Sequence, residues 1–234
     1  MIHGTERFEN REDAGWRLAE RVKYVALVDP LVLAIPRGGI EVAAPLGQAL
    51  GADVDVVLSR KLRAPNQPEL ALGAVSETGE VFLNDHGNAI VAGGRAYIEE
   101  ERSRQMAEIE RRRRMFREAR PQAPMKGRSV IVTDDGIATG STMIAALRTV
   151  RAAGAKEIIV AVPVAPGDTL ERIRPLCDRL ICLYEPENFW AVGQFYRHFD
   201  QVSDERVFDL LRRHGRRSTA GTSIGPDSRH AASR

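Results

Sequence analysis

One stretch of the sequence, residues 130–142, reads Val130-Ile-Val-Thr-Asp134-Asp135-Gly136-Ile-Ala-Thr139-Gly140-Ser141-Thr142. It joins an apolar run typical of a buried strand to two carboxylates, a turn of glycine and hydroxyl residues, and the start of a helix. Such a turn directs backbone N–H groups, hydroxyls and the positive end of a helix toward one point, which suits a phosphate dianion. Because carboxylates repel phosphate, we expect Asp134 and Asp135 to accept hydrogen bonds from vicinal hydroxyls, such as those of a ribose that carries the phosphate.

Two other phosphate-binding patterns fit this sequence less well. No lysine follows the glycines, as the P-loop pattern requires. No Gly-x-Gly-x-x-Gly opens a helix, which argues against a nicotinamide dinucleotide site.

Strand and helix patterns alternate on both sides of this stretch. Apolar runs predict strands over residues 31–35, 53–58, 128–133, 157–164 and 179–183, and helical patterns separate most of them. This alternation predicts an α/β fold, an open and mostly parallel sheet with helices on both faces. Ligands of such sheets bind at the carboxyl ends of the strands, near the switch in strand order. The turns at 36–39 and 134–140 should therefore lie together.

Two other segments are predicted from their own composition. Residues 72–76 and 80–83 resemble a short hairpin, and residues 95–119 form a long helix with apolar positions at Ile98, Met106, Ile109 and Phe116. The polar stretch 59–69, with two prolines, is predicted to be a loop.

Composition excludes several classes of protein. The 234 residues are 43% hydrophobic and 28% charged, and the formal net charge is +2. So small a net charge does not indicate a protein that binds nucleic acid through its overall charge. Two cysteines are too few for a disulfide framework. The polar start is unlike a signal peptide and no apolar run could span a bilayer, so we expect a cytoplasmic protein without membrane contact. Residues 1–214 are predicted to form one domain, followed by a disordered basic tail at 215–234.

The stretch 130–142 resembles the signature of the type I phosphoribosyltransferases, in which an apolar strand and two acids precede a loop ending Ala-Thr-Gly-x-Thr. The resemblance covers roughly residues 8–213. It implies a Rossmann-like fold with a small hood, and a site for 5-phosphoribosyl 1-pyrophosphate (PRPP). The residues of this loop that would bind PRPP are Asp134, Asp135, Gly136, Ile137, Ala138, Thr139, Gly140, Ser141 and Thr142.

Two further segments fall where this family holds pyrophosphate. By resemblance, Arg37 with the backbone of Gly38 and Gly39 would form the pyrophosphate loop, and Arg60 and Lys61 would also reach the pyrophosphate. Residues 60–70 would be the mobile loop that closes over the site and excludes water. A plain glycine turn and a solvated basic loop are the alternatives.

The resemblance also places a nucleobase hood near residues 184–202. This region holds an aromatic cluster in which Phe189, Trp190 and Phe195 could stack a base. Plain packing is the alternative for each ring.

The family's reaction displaces pyrophosphate from carbon 1 of PRPP by a nitrogen of a base. The resemblance gives catalytic roles to Asp134, Asp135, Arg37 and Lys61, and it implies Mg²⁺, which Asp134 and Asp135 would touch through water. The 6-oxopurine transferases carry an acid at the place of Ala138, so a hypoxanthine–guanine role is not expected.

Two alternatives to transfer and one question of assembly stay open at this point. The chain could be a regulatory module that binds PRPP without catalysis. Association with RNA would rest on Arg111–Arg114 and the basic tail, but a run of arginines at a helix end is more often a solvated face. Relatives commonly form homodimers, and the sequence locates no interface for one.

Overall fold

The computed structural model of this chain describes residues 7–65, 67–84, 87–90 and 95–214. Its strands are β1 (Leu31–Ala34), β2 (Asp53–Val56), β3 (Ser59–Ala64), β4 (Gln67–Ser76), β5 (Val81–Leu83), β6 (Ser129–Thr133), β7 (Glu157–Val164) and β8 (Arg179–Tyr184). Its α-helices are α1 (Arg11–Val22), α2 (Gly39–Leu50), α3 (Ala96–Ala119), α4 (Ser141–Ala152), α5 (Gly167–Ile173) and α6 (Asp204–His214). Short 3-10 turns lie at Arg174–Leu176 and Val192–Phe195.

The main sheet is parallel, with the strand order β2-β1-β6-β7-β8. Its register pairs Leu31 of β1 with Asp53 on one side and with Val130 on the other. The chain proceeds from β1 to β2 at one side, and from β6 to β7 and β8 at the other. The strand order therefore reverses between β1 and β6, where Ala34 and Thr133 are paired and both strands end.

Helices cover both faces of this sheet, because successive side chains of a strand point to opposite faces. Val32 and Ala34 of β1 belong to an apolar cluster that also contains residues of α1, α2, α3 and α6. Leu31 and Leu33 belong to a second cluster with residues of α4 and α5. The predicted fold class is confirmed.

The second sheet is antiparallel, with the order β3-β4-β5. Its β4–β5 pair confirms the hairpin predicted over residues 72–83. The loop predicted over 59–69 is wrong as secondary structure, since β3 and the first residues of β4 occupy it. Ser59, Leu62 and Ala64 are the buried positions of β3, and Leu62 packs in the same cluster as Ile98 and Ile109 of α3. The arginines and prolines of this segment obscure its strand pattern in the sequence. Its apolar side chains are buried by contact with α3, and the sequence of the strand alone does not indicate that contact.

Helix boundaries follow the sequence closely. The side chain of Asn10 accepts the backbone N–H of Asp13 at 2.9 Å, which caps α1. In α3, Ile98, Ile109 and Phe116 are buried as predicted, while Met106 is half-buried. Across the described residues, no helix combines the length and the apolar character needed to cross a membrane. The predicted tail, 215–234, lies outside the described residues.

Candidate functional site

The turns that follow β1 and β6 touch each other at the switch in strand order. A Cβ atom on Gly39 would lie 3.0 Å from the carbonyl oxygen of Thr133, and one on Gly38 would lie 1.9 Å from Oδ2 of Asp135. Only glycine permits so close an approach. The expectation that the two turns lie together is confirmed.

The turn 136–140 is fastened from outside by α5. Thr169 Oγ1 donates to the carbonyl oxygen of Ala138 at 2.8 Å, and an Nη atom of Arg172 donates to that of Thr139 at 3.1 Å. Gly140, with φ at +74°, then leads into α4. The first N–H groups of α4 have no acceptor within the helix, so this end of α4 has the character of an anion site.

A cavity of about 170 Å³ opens on this turn. It is lined by Lys61, Asp134, Asp135, Gly136, Ile137, Ala138, Thr139, Gly140, Thr142, Met143 and Val192. Ser141 is buried beside it, with its Oγ 3.4 Å from Oγ1 of Thr139. The structure thus brings the predicted phosphate turn, both acids and Lys61 into one concave surface.

The two acids differ in their partners. Oδ2 of Asp135 accepts Nε–H of Arg11 at 2.8 Å, and the Asp135 carbonyl accepts the hydroxyl of Tyr196 at 2.5 Å. Oδ1 of Asp134 accepts the backbone N–H of Asp135 at 2.8 Å. Burial, and then the charge of Asp135, raises the pKa of Asp134 well above its usual value. Burial also raises the pKa of Asp135, against the lowering effect of Arg11.

The start of the β3–β4 hairpin supplies cations to the same place. A second cavity, of about 320 Å³, is lined by Ile35, Pro36, Ser59, Arg60, Lys61, Arg63, Asp134 and Thr142. Lys61 and Asp134 therefore belong to both cavities. Nε of Arg60 donates to Oε1 of Gln105 at 2.9 Å. Burial, followed by the nearby guanidinium of Arg112, lowers the pKa of Arg60.

Arg37 does not line the cavities that hold Asp134 and Lys61. Its Nη1 lies 4.0 Å from Oδ1 of Asp204 in α6. The Pro36–Arg37 peptide bond is cis.

The three predicted base-binding rings separate into two groups. Phe195 is only 8% exposed and packs against Tyr184 and Phe189 at ring-centroid distances of 5.5 and 5.4 Å. This packing favours the alternative of plain packing for Phe195, and its contact with a base stays a prediction. Phe189 and Trp190, which is 89% exposed, line a cavity of about 980 Å³ that also reaches Ala138 and Thr139.

Several residues of the site carried no signal in the sequence. Arg11 and Tyr196 contact Asp135 from distant parts of the chain, and Thr169 and Arg172 fasten the phosphate turn. Arg11 stands in the first turn of an amphipathic helix, where an arginine reads as a solvated residue. Tertiary contact alone reveals these four.

The described residues contain no group of three or more His, Cys, Asp or Glu side chains that could hold a metal ion by themselves. Asp134 and Asp135 nonetheless offer the carboxylate oxygens that Mg²⁺ accepts, and Mg²⁺ commonly retains waters and substrate phosphates as its remaining ligands. The donor set therefore fits an ion that is shared with a phosphorylated ligand.

The arginine run of α3 has carboxylate partners. Arg111 and Arg112 form ion pairs with Glu108 and Asp204, while Arg113 and Arg114 pair with Glu110. These ion pairs neutralise much of the positive charge that would otherwise attract the phosphates of an RNA backbone.

Comparison with known proteins bears on the family of this chain. Residues 17–200 match the family model of the phosphoribosyl transferase domain. The chain is 42% identical over 209 residues to "Putative phosphoribosyl transferase Rv0571c" of Mycobacterium tuberculosis strain H37Rv, which covers 88% of this chain. The chain spans 46% of the length of that relative.

Solved structures show the same similarity. The protein TT1426 from Thermus thermophilus is 42% identical and superposes with a TM-score of 0.76, covering 89% of this chain and 99% of its own. The purine phosphoribosyltransferase from Pyrococcus horikoshii is 17% identical with a TM-score of 0.45, over 82% of this chain and 93% of its own. The similarity to the Pyrococcus protein is too distant to bear on the substrate of this chain. The match of the family model over most of the chain decides the assignment: the chain belongs to the phosphoribosyl transferase family.

Proposed function

We propose that this chain transfers the 5-phosphoribosyl group of PRPP to a nitrogenous base and releases pyrophosphate. The observation that supports it most is the meeting of the two turns at one edge of the sheet, with Asp134 between them and Lys61 opposite. The turn 136–140 would hold the 5-phosphate, and the 320 Å³ cavity with its basic lining would hold the pyrophosphate.

In this reaction the base nitrogen forms a bond to carbon 1 while the bond from carbon 1 to the pyrophosphate oxygen breaks and its electron pair leaves with pyrophosphate. A proton carried by the attacking nitrogen is released to water. Positive charge develops on the ribose, and negative charge grows on the leaving group. Lys61 and Arg60 would stabilise the leaving group, and Asp134 would orient the ribose hydroxyls. Bound Mg²⁺, next to Asp134 and Asp135, would supply further positive charge to the pyrophosphate oxygens.

The acceptor base would enter the 980 Å³ cavity beside the phosphate turn. Its lining combines the rings of Phe189 and Trp190 with the carboxylates of Asp168, Glu185 and Glu187. The segment 184–202 would then act as the hood of the site. The carboxylates favour an acceptor that donates hydrogen bonds.

Calorimetric titration of the protein with PRPP in the presence of Mg²⁺ tests this proposal. The wild type should bind, and the double variant Asp134→Asn/Asp135→Asn should not. Asp209→Asn, an exposed acid of α6, is the matched control and should bind as the wild type does. A wild type that binds neither PRPP nor ribose 5-phosphate would refute the proposal.

A screen of bases for pyrophosphate release then separates transfer from binding alone. Release with one class of base would identify the acceptor. Binding of PRPP without release for any base would make the chain a PRPP-binding module and exclude the transfer step.

A further inference from the structure

We infer that Arg11 is a positioning residue of the site: it fixes Asp135 beneath Gly38 and so sets the two turns relative to each other, while Asp134 is left to meet the sugar. This inference rests on the proposed function and deepens it. Arg11 lies outside every segment in which the sequence indicated a site.

The Arg11 side chain is largely buried and is held by several groups of the protein. It is 8% exposed, its Nε donates to Oδ2 of Asp135 at 2.8 Å, and its Nη1 donates to the carbonyl oxygen of Asp200 at 2.8 Å. The guanidinium carbon lies 3.8 Å from the centroid of the Phe199 ring. A guanidinium held on these sides cannot swing toward a phosphate, so any influence on a ligand must pass through Asp135.

Asp135 itself belongs to the turn after β6 and contacts the turn after β1. Tyr196 donates its hydroxyl to the Asp135 carbonyl, and Gly38 lies directly against the Asp135 carboxylate. A Cβ atom on Gly38 would also lie 3.0 Å from Nε of Arg11. The Arg11–Asp135 ion pair therefore lies directly against Gly38. Through this ion pair, α1 contacts both ligand-binding turns.

Asp134 has the opposite character. It lines both the 170 and the 320 Å³ cavities, whereas Asp135 lines only the smaller of these two. Among the residues that the structure describes, no ion pair to Asp134 is found, and its carboxylate accepts the N–H of Asp135. The two neighbouring acids thus have different roles: Asp135 is held in an ion pair with Arg11, and the Asp134 carboxyl group faces the two cavities.

A double-mutant cycle on the full chain tests the inference, with Kd for PRPP in Mg²⁺ buffer as the readout. We expect Arg11→Met to weaken binding by about 10- to 100-fold, the size of effect seen when a ligand-facing group loses its support. The double variant Arg11→Met/Asp135→Asn should bind no more weakly than the weaker single variant, because both changes remove the same ion pair. Arg17→Met, an exposed arginine of the same helix paired with Asp13, should remain within about twofold of the wild type.

Thermal unfolding of each variant separates positioning from folding. Arg11→Lys keeps the charge in a shorter side chain, should fold where Arg11→Met does not, and should show an intermediate Kd. Additive effects of Arg11→Met and Asp135→Asn, or a lowered unfolding temperature with an unchanged Kd in either Arg11 variant, would overturn the inference and leave the proposed function intact. A wild type that fails to bind PRPP would overturn both.

Discussion

At the scale of single residues, Gly140 joins the phosphate turn to α4 with a positive φ that alanine adopts only with strain. A Cβ atom there would also lie 3.0 Å from Cγ2 of Thr169. Gly140→Ala should lower the free energy of unfolding by about 1–2 kcal/mol and weaken PRPP binding. Gly51 also has a positive φ, but no atom of the described residues lies within 4 Å of a Cβ placed there, so Gly51→Ala should cost about 1 kcal/mol without changing PRPP affinity. Urea denaturation and calorimetry measure the two quantities, and equal PRPP affinity in both variants would contradict the prediction.

A second prediction at this scale concerns the charge of Asp134. Because burial raises its pKa, the folded protein retains a proton at a pH where the unfolded chain has released it. The free energy of unfolding should therefore fall as pH rises from the unfolded pKa through the folded pKa of Asp134. Asp134→Asn should remove much of this slope and raise the free energy of unfolding at pH 7 by about 1–2 kcal/mol, while it abolishes PRPP binding. Urea denaturation between pH 4 and pH 8 checks this, and a less stable Asp134→Asn variant at pH 7 would contradict it.

At the scale of elements, the β3–β4 hairpin carries Lys61 to the 320 Å³ cavity, where we propose that pyrophosphate binds. Lys61 is exposed, so Lys61→Met should leave stability within about 0.5 kcal/mol of the wild type. It should weaken PRPP binding about tenfold or more and weaken the binding of ribose 5-phosphate, which lacks the pyrophosphate, much less. Calorimetry with both ligands measures the difference. Lys156→Met, an exposed lysine directly before β7 at the opposite edge of the sheet, is the matched control; an equal loss for both ligands with Lys61→Met would argue against the pyrophosphate role.

The hairpin is also the element that the sequence misassigned. Leu62 and Ala64 are too few apolar residues to indicate a strand, and Arg60, Lys61 and Arg63 made the segment resemble a solvated loop. In the structure, α3 covers it: Oε1 of Glu101 accepts the backbone N–H of Arg63 at 3.2 Å. Movement of residues 60–70 during a reaction stays a prediction.

At the scale of the whole molecule, one apolar cluster unites the main sheet with α1, α2, α3, α6 and the hairpin. Phe116 is fully buried in it, so Phe116→Ala should lower the free energy of unfolding by about 3–5 kcal/mol. Val28 is 45% exposed, and Val28→Ala should cost less than about 0.5 kcal/mol. Chemical denaturation measures both, and similar losses would show that the cluster does not carry the stability assigned to it.

The sequence by itself determined the strands and helices of the main sheet, its parallel arrangement and the glycine turn after β6, but not β3. These features are local, because apolar periodicity, helix caps and glycine turns act over a few neighbouring residues. The helix capped by Asn10 and the strand 157–164 were found in this way, with boundaries that differ little from those of the structure.

Only the tertiary structure decided how the site is supported and which of its predicted members share a surface. It paired Arg11 with Asp135 across 124 positions of sequence, buried Phe195 and set Arg37 beside Asp204. The physical reason is that a side chain's partners depend on the packing of segments far apart in the chain. No local sequence pattern predicts that Gly38 must lie against the Asp135 carboxylate, which Arg11 of α1 holds in place.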